Sequence, residues 1–239
     1  MKEIPYKFIN MNDPLSIFFS SHKTYLSIYN AHFFLDFYND DLFNKYKIFP
    51  ISKLHEISKK RKAEYLAGRI VASWALNGLK KTTFNLVSDE TGCPIWPKNV
   101  VGSISHSDNI AIACVIQNNK TFYSSIGIDI EPVIPTKVAE SIANRIVTDK
   151  EIYYIQKILK CHFSVALTLL FSAKESIYKA LFSMLKIEVS FLNIRFIGIN
   201  ENLLRFTLNN SLNIKHQLSS IIQVYYLIDE QSILTATLL

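Results

Sequence analysis

The segment Ile126-Gly127-Ile128-Asp129-Ile130-Glu131-Pro132 decides how this chain is to be read. Isoleucine alternates there with Gly, Asp and Glu, so on a strand every isoleucine faces one way and both carboxylates face the other. Pro132, which cannot donate to a sheet ladder, ends the strand. Carboxylates at i and i+2 on one face lie roughly 7 Å apart by strand rise, and a shared cation is the best relief for their repulsion. A strand face open to water accounts for the same pattern without any cation.

Outward from this strand the chain repeats one succession of elements. A helix is predicted from Ser58 to Leu79, with Ser58 as its cap and Asn77-Gly78 as its stop. β-type runs follow at Thr83–Val87, Val101–Ser105, Ile110–Ile116 and Ser125–Ile130. A second helix is predicted from Ser164 to Leu185, and after it come short runs at Phe191–Ile197, Leu203–Leu208, Ile221–Ile228 and Ile233–Leu238. Helix then strands, twice, predicts an α+β protein of two similar halves, although the halves share no visible sequence identity.

Composition narrows the function classes. With 239 residues, 49% of them hydrophobic, the chain can bury a sizeable core without staples. Its three cysteines, Cys93, Cys114 and Cys161, are odd in number, form no C-x-x-C pair and lack zinc-ligand spacing, which fits a reducing cytoplasm. The opening MKEIPYKFIN is followed by Asp13, His22 and Lys23 before a signal-peptide core can run its length. The apolar stretch from Val165 to Leu185 carries Lys174, Glu175 and Lys179, so no membrane span is expected. Net charge is +6, with 15 Lys/Arg against 10 Asp/Glu in residues 1–127 and 11 against 10 in residues 128–239. That balance suits anionic small molecules or acidic protein partners and lacks the dense basic runs of a nucleic-acid binder. No low-complexity linker interrupts the chain.

Three further groups carry chemistry. On the second helix Thr168, Ser172, Glu175, Lys179, Ser183 and Lys186 fall in one narrow stripe, expected to line a cleft or face solvent. Glu175 and Lys179 stand at i, i+4 in the favourable order, and Lys174 lies about 100° around the helix. A plain surface ion pair explains Glu175 and Lys179 equally well. In Gly102-Ser103-Ile104-Ser105-His106-Ser107 hydroxyls surround a histidine at a strand end, donors suited to phosphate oxygens. A Ser-His nucleophile pair is disfavoured there, because neighbours on a strand point to opposite faces and no G-x-S-x-G elbow is present. On the first helix Lys62 and Arg69 share a face about 10 Å apart along the axis, with Arg61 beside Lys62.

Taken in order, Arg61-Lys62-Ala63-Glu64-Tyr65-Leu66-Ala67-Gly68-Arg69, Gly92-Cys93-Pro94-Ile95-Trp96-Pro97, Gly102 to Ser107, Gly127 to Glu131, and Phe171-Ser172-Ala173-Lys174-Glu175-Ser176-Ile177-Tyr178-Lys179 resemble the phosphopantetheinyl transferases. The likeness is to the long, two-lobed type serving nonribosomal peptide and siderophore synthetases, the enterobactin synthetase component D group in particular. It spans residues 61 to 179 and leaves 1–55 and the last fifty unmatched. Cys93 stands where relatives often carry a basic or polar residue, and Phe171 where many have tryptophan.

The resemblance implies two lobes related by a pseudo-twofold, each a small antiparallel sheet on a long helix, with coenzyme A bound between them. Residues 1–125 would form the lobe that meets the nucleotide phosphates, and 126–239 the lobe with metal ligands and catalytic helix. It assigns Asp129, Glu131 and Glu175 to Mg²⁺, Lys174 and Lys179 to the pyrophosphate, and Ser105, His106, Arg61, Lys62 and Arg69 to the nucleotide phosphates. Glu175 would also serve as base, with Lys179 offsetting charge on the pyrophosphate. The activity implied is transfer of phosphopantetheine from coenzyme A to a serine of an apo acyl or peptidyl carrier protein, by a cytoplasmic monomer. The same carboxylates would also suit a Mg²⁺-dependent nucleotide pyrophosphate hydrolase, and a non-catalytic carrier-protein binder is the third reading.

Overall fold

In the computed structural model, which describes residues 7–19, 23–50, 54–80, 86–118, 124–200, 203–209 and 221–239, the chain divides into two units, Met1–Phe122 and Tyr123–Leu239. The first opens with two strands, β1 (Ile9–Phe19) and β2 (Thr24–Phe33), where the sequence offered no motif. Their pairing shifts register between Asn12 and Leu15, the stretch that holds Pro14, a residue without an N–H for the ladder. A short helix α1 (Leu42–Tyr46) precedes the long α2 (Lys59–Gly78), and β3 (Val100–Ser107) and β4 (Ile110–Gln117) complete the sheet in antiparallel order β1-β2-β4-β3.

Local chemistry sets the ends of α2. The Ser58 hydroxyl accepts from the Arg61 N–H, and at the far end the Leu79 N–H closes the last turn on Leu76 and Asn77. Between them Ala63, Leu66, Ala67, Val71 and Ala72 are fully buried, and the helix packs on β2, β3 and β4. Burying a leucine or valine of this kind stabilises by roughly 1.5–3 kcal/mol. Of the strand expected at Thr83–Val87, residues 83–85 lie outside the described residues; Leu86 and Val87 are not in a strand, and the nearby pairing is a single bridge between Ser88 and Pro94.

The second unit begins with β5 (Ile126–Pro132), which keeps Pro132 as its last residue. Three helices follow, α3 (Thr136–Ile146), α4 (Asp149–Leu159) and α5 (Phe163–Leu185), then β6 (Ile194–Asn200), β7 (Leu203–Leu208), β8 (Ile222–Ile228) and β9 (Ser232–Leu238). The expected run from Phe191 opens instead as a 3-10 turn, Phe191–Asn193, before β6. The strands make an antiparallel sheet in the order β5-β9-β8-β7-β6, with α5 packed on β5, β9 and β8. Each unit is thus an antiparallel sheet on one long helix, and the whole is α+β. The helix-first order is corrected, because β1 and β2 precede α2, and β2 and β5 precede the helices on which they pack. Helices α3 and α4 were not foreseen, although Thr148 and Glu151 form a complete capping box at the start of α4. No helix among the described residues is long and apolar enough to cross a membrane.

Candidate active site

Strand β5 and helix α5 meet at Gly127 with no side chain between them. A Cβ there would overlap the Ser176 carbonyl oxygen and crowd the Ala180 nitrogen, so only glycine fits. This contact fixes the orientation of the strand: Gly127, Asp129 and Glu131 alternate onto the face towards α5, and the isoleucines onto the other. A solvent-open face does not describe the result, since Asp129 is 2% exposed and Glu131 is half-buried.

Lys179 reaches from α5 to this strand. Its ammonium donates to Asp129 Oδ1 at 2.6 Å and to the Ile128 carbonyl at 3.3 Å. Glu175, one turn earlier, is half-buried, and its carboxyl is raised above the ordinary carboxylate value by loss of solvent. The Lys179 charge works against that rise and the Asp129 charge adds to it. A plain surface ion pair therefore does not account for the helix.

Two residues of the polar stripe are a correction, while Ser183 and Lys186 face solvent as expected. Thr168 and Ser172 are fully buried rather than open to a cleft or solvent. The Thr168 hydroxyl donates to the Ser164 carbonyl and accepts from the Ile134 N–H, while the Ser172 hydroxyl meets Thr235 of β9 at 3.0 Å. Hydroxyls with such partners can be buried without an unmet hydrogen bond.

Lys174 is corrected as well. It is fully buried, and its ammonium donates to Glu151 Oε1 (3.0 Å), the Ile146 carbonyl (2.8 Å) and the Phe191 carbonyl (3.2 Å). Three acceptors match the three hydrogens of an ammonium, which leaves none for a pyrophosphate.

Asp129, Glu131 and Glu175 supply oxygen donors alone, the set that Mg²⁺ takes. The field of Asp129 on Glu175 is the repulsion a cation would relieve. The donors fit in kind, although among the described residues no group of three or more His, Cys, Asp or Glu is gathered closely enough to hold a metal ion.

In the first unit, β3 approaches α2 at Gly68, where a Cβ would come within 2.9 Å of Ile104. By alternation His106 shares the helix-facing side of β3 with Ile104, and Ser105 takes the opposite side, where it is 5% exposed. Ser105 and His106 therefore do not act from one face. His106 Nε2 lies 2.8 Å from Arg61 Nη1, and because a guanidinium only donates, this imidazole nitrogen accepts. Glu64, a residue that sequence reasoning left without a role, sits 3.7 Å from His106 Nδ1 and 3.6 Å from Arg61. Its place at i+3 from Arg61 is the signal that could have found it.

Lys62 does not join this group. Its ammonium pairs with Asp40 at 3.0 Å, and the same carboxylate accepts from Tyr38 at 2.7 Å. Those two bonds, the tyrosine's first, hold the Asp40 carboxyl below its ordinary value. Arg69 is 3% exposed, donates from Nη2 to the Ser88 hydroxyl at 2.6 Å and lies 4.9 Å from the Tyr65 ring centre. Its Nε and Nη1 have no hydrogen-bond partner among the described residues. A buried guanidinium with two unmatched nitrogens is a cation in want of an anion.

Comparison with known proteins adds two family matches. Residues 52–116 match the 4′-phosphopantetheinyl transferase N-terminal domain, and residues 125–235 match the 4′-phosphopantetheinyl transferase superfamily. The chain is 37% identical over 152 residues to enterobactin synthase component D of Escherichia coli (strain K12), covering 63% of this chain and 68% of that protein. It is 41% identical over 128 residues to enterobactin synthase component D of Salmonella typhimurium (54% and 51%). It is also 32% identical over 136 residues to 4′-phosphopantetheinyl transferase Npt of Nocardia iowensis (53% and 55%).

Proposed function

Because the chain belongs to the 4′-phosphopantetheinyl transferase superfamily, we propose that it moves the 4′-phosphopantetheine arm of coenzyme A onto a serine of an apo acyl or peptidyl carrier domain. Adenosine 3′,5′-bisphosphate is the other product. The chain is a transferase, and the names of its Escherichia coli and Salmonella relatives favour a carrier of a siderophore synthetase as the acceptor.

The reaction forms a bond between the serine Oγ and the β-phosphorus of coenzyme A and breaks the bond from that phosphorus to the bridging oxygen. The bridging oxygen leaves with adenosine 3′,5′-bisphosphate, and the serine proton goes to Glu175. Burial favours the proton-bearing form of Glu175, which makes it a better proton acceptor than an ordinary carboxylate. Lys179 offsets charge on the pyrophosphate. Asp129, Glu131 and Glu175 would hold Mg²⁺, which supplies charge neutralisation at the phosphates when bound. Arg61, His106 and Arg69 take the nucleotide phosphates; Lys62 contributes once it leaves Asp40, and Ser105 from the far face of its strand.

The observation that carries this reading is the contact of Lys179 with the buried Asp129, beside a Glu175 whose proton affinity both groups modulate. The test is to incubate the protein with coenzyme A, Mg²⁺ and a panel of apo carrier domains and weigh the carriers. A gain of one phosphopantetheine mass supports it. Release of phosphopantetheine to water would mark a hydrolase, and binding without mass gain a non-catalytic binder.

A further inference from the structure

Lysine is almost never fully buried without a partner, and Lys174 is sealed one residue before Glu175. Its partner Glu151 joins more than one element. Glu151 Oε1 accepts from Lys174 and also from the Phe196 N–H of β6 at 2.7 Å. Its Oε2 accepts from the Thr148 N–H at 2.8 Å and the Thr148 hydroxyl at 3.0 Å, where α4 begins. Lys174 adds the Ile146 carbonyl at the end of α3 and the Phe191 carbonyl of the 3-10 turn. One carboxylate and one ammonium thereby link α3, α4, α5, the turn and β6.

On another side of α5, β5 grips the same stretch of helix through Gly127 against Ser176 and through Asp129 with Lys179. Residues 174 and 175 point about 100° apart, so Glu175 is held between these two attachments. We propose that Glu151 and Lys174 are a positioning pair that sets the rotation and register of α5, and through it the placement of Glu175 and Lys179. The inference rests on the catalytic reading of Glu175 and Lys179 given above. Directed hydrogen bonds fix an orientation that apolar contact of similar volume leaves loose, and misplacement of a functional group by 1 Å can lower a rate about 100-fold.

The test compares Lys174→Met, Glu151→Gln and the double variant by steady-state kinetics with coenzyme A, Mg²⁺ and an apo peptidyl carrier domain. All are assayed at a temperature where circular dichroism shows them folded. Each single variant should lower kcat at least 10-fold with KM for coenzyme A within about 3-fold of the parent, and the double variant should be no worse than the worse single one. Parent-like kcat in Glu151→Gln overturns the proposal, as does a KM raised 10-fold in Lys174→Met alone, the mark of a direct phosphate contact. If Lys174→Met does not fold, Glu151→Gln, which keeps an acceptor oxygen for one of the two N–H groups, that of Phe196 or that of Thr148, carries the comparison. Hydrogen exchange gives a readout independent of activity. Amides 175–180 should exchange at least 10-fold faster in Glu151→Gln, and unchanged protection overturns the proposal even if the parent modifies no carrier in the panel, a result that would count against the transferase mechanism instead.

Discussion

Lys179 carries its ammonium to within 2.6 Å of the Asp129 carboxylate, 50 residues earlier in the chain, and so ties the long helix of the second unit to its first strand. Asp129 is 2% exposed in this contact, while the Lys179 side chain remains 27% exposed. The two ends therefore differ in what their removal should do.

Asp129→Ala should abolish transfer and leave the fold intact, because the Lys179 ammonium it releases can reach water. The stability cost should be about 1.5–3 kcal/mol, that of one charge-assisted hydrogen bond. Asp129→Asn keeps the shape and should be as inactive. Carrier mass spectrometry with melting curves checks both, and full activity in either variant removes Asp129 from the site.

Gly127→Ala places a methyl group on the Ser176 carbonyl oxygen, and the helix must lift from the strand to admit it. We expect a loss of about 3 kcal/mol and loss of transfer with it. Urea denaturation measures the first; a midpoint equal to the parent's would contradict the packing described.

Arg69→Met removes a buried cation whose Nε and Nη1 are unmatched, so stability should be unchanged or higher. The affinity for coenzyme A should fall at least 10-fold, seen as KM rising more than kcat falls. A lower melting temperature with unaltered KM would make Arg69 a structural residue.

Glu175 has a proton affinity raised by burial. Its folded form holds the proton above the pH at which the unfolded chain releases it, so stability is greatest below the ordinary carboxylate value and is lost as pH rises through the raised folded value. In EDTA, parent melting temperature should fall relative to Glu175→Gln from about pH 4.5 towards neutrality. Parallel curves would dispose of the raised value. Added Mg²⁺ should restore the parent selectively, as a ligand of the native state does.

Much of this was legible in the sequence, and the exceptions have physical causes. The alternation in residues 126–132 gave the face of Asp129 and Glu131, since strand period does not depend on tertiary context. The Ser58 cap with the Asn77-Gly78 stop located α2 to within a residue of its ends, and α5 begins and ends within a residue of the second predicted helix. Periodicity could not say that Thr168 and Ser172 are buried, because a hydroxyl stripe reads alike whether it meets water or Thr235. Nor could it find the partner of Lys174, as Glu151 is 23 residues away on a helix that went unread. Glu64 was hidden for a different reason: beside Lys60 and Arg61 it passes for an ordinary helical ion pair until His106 arrives from a strand.

The sheet order β5-β9-β8-β7-β6 also bears on how the second unit assembles. β5 has β9 as its neighbour in the sheet, and Asp129 stands opposite Thr235, so the first strand of the unit waits for the last. Closing so long a stretch of chain is entropically slow compared with forming hairpins such as β6 with β7. During synthesis the acidic strand emerges well before residues 232–238 exist, and a nascent chain arrested short of them holds Asp129 and Glu131 without the ladder that orients them. Competence should therefore appear late and all at once, when β9 seats, and removal of those seven residues should leave a helical chain unable to organise its acidic strand.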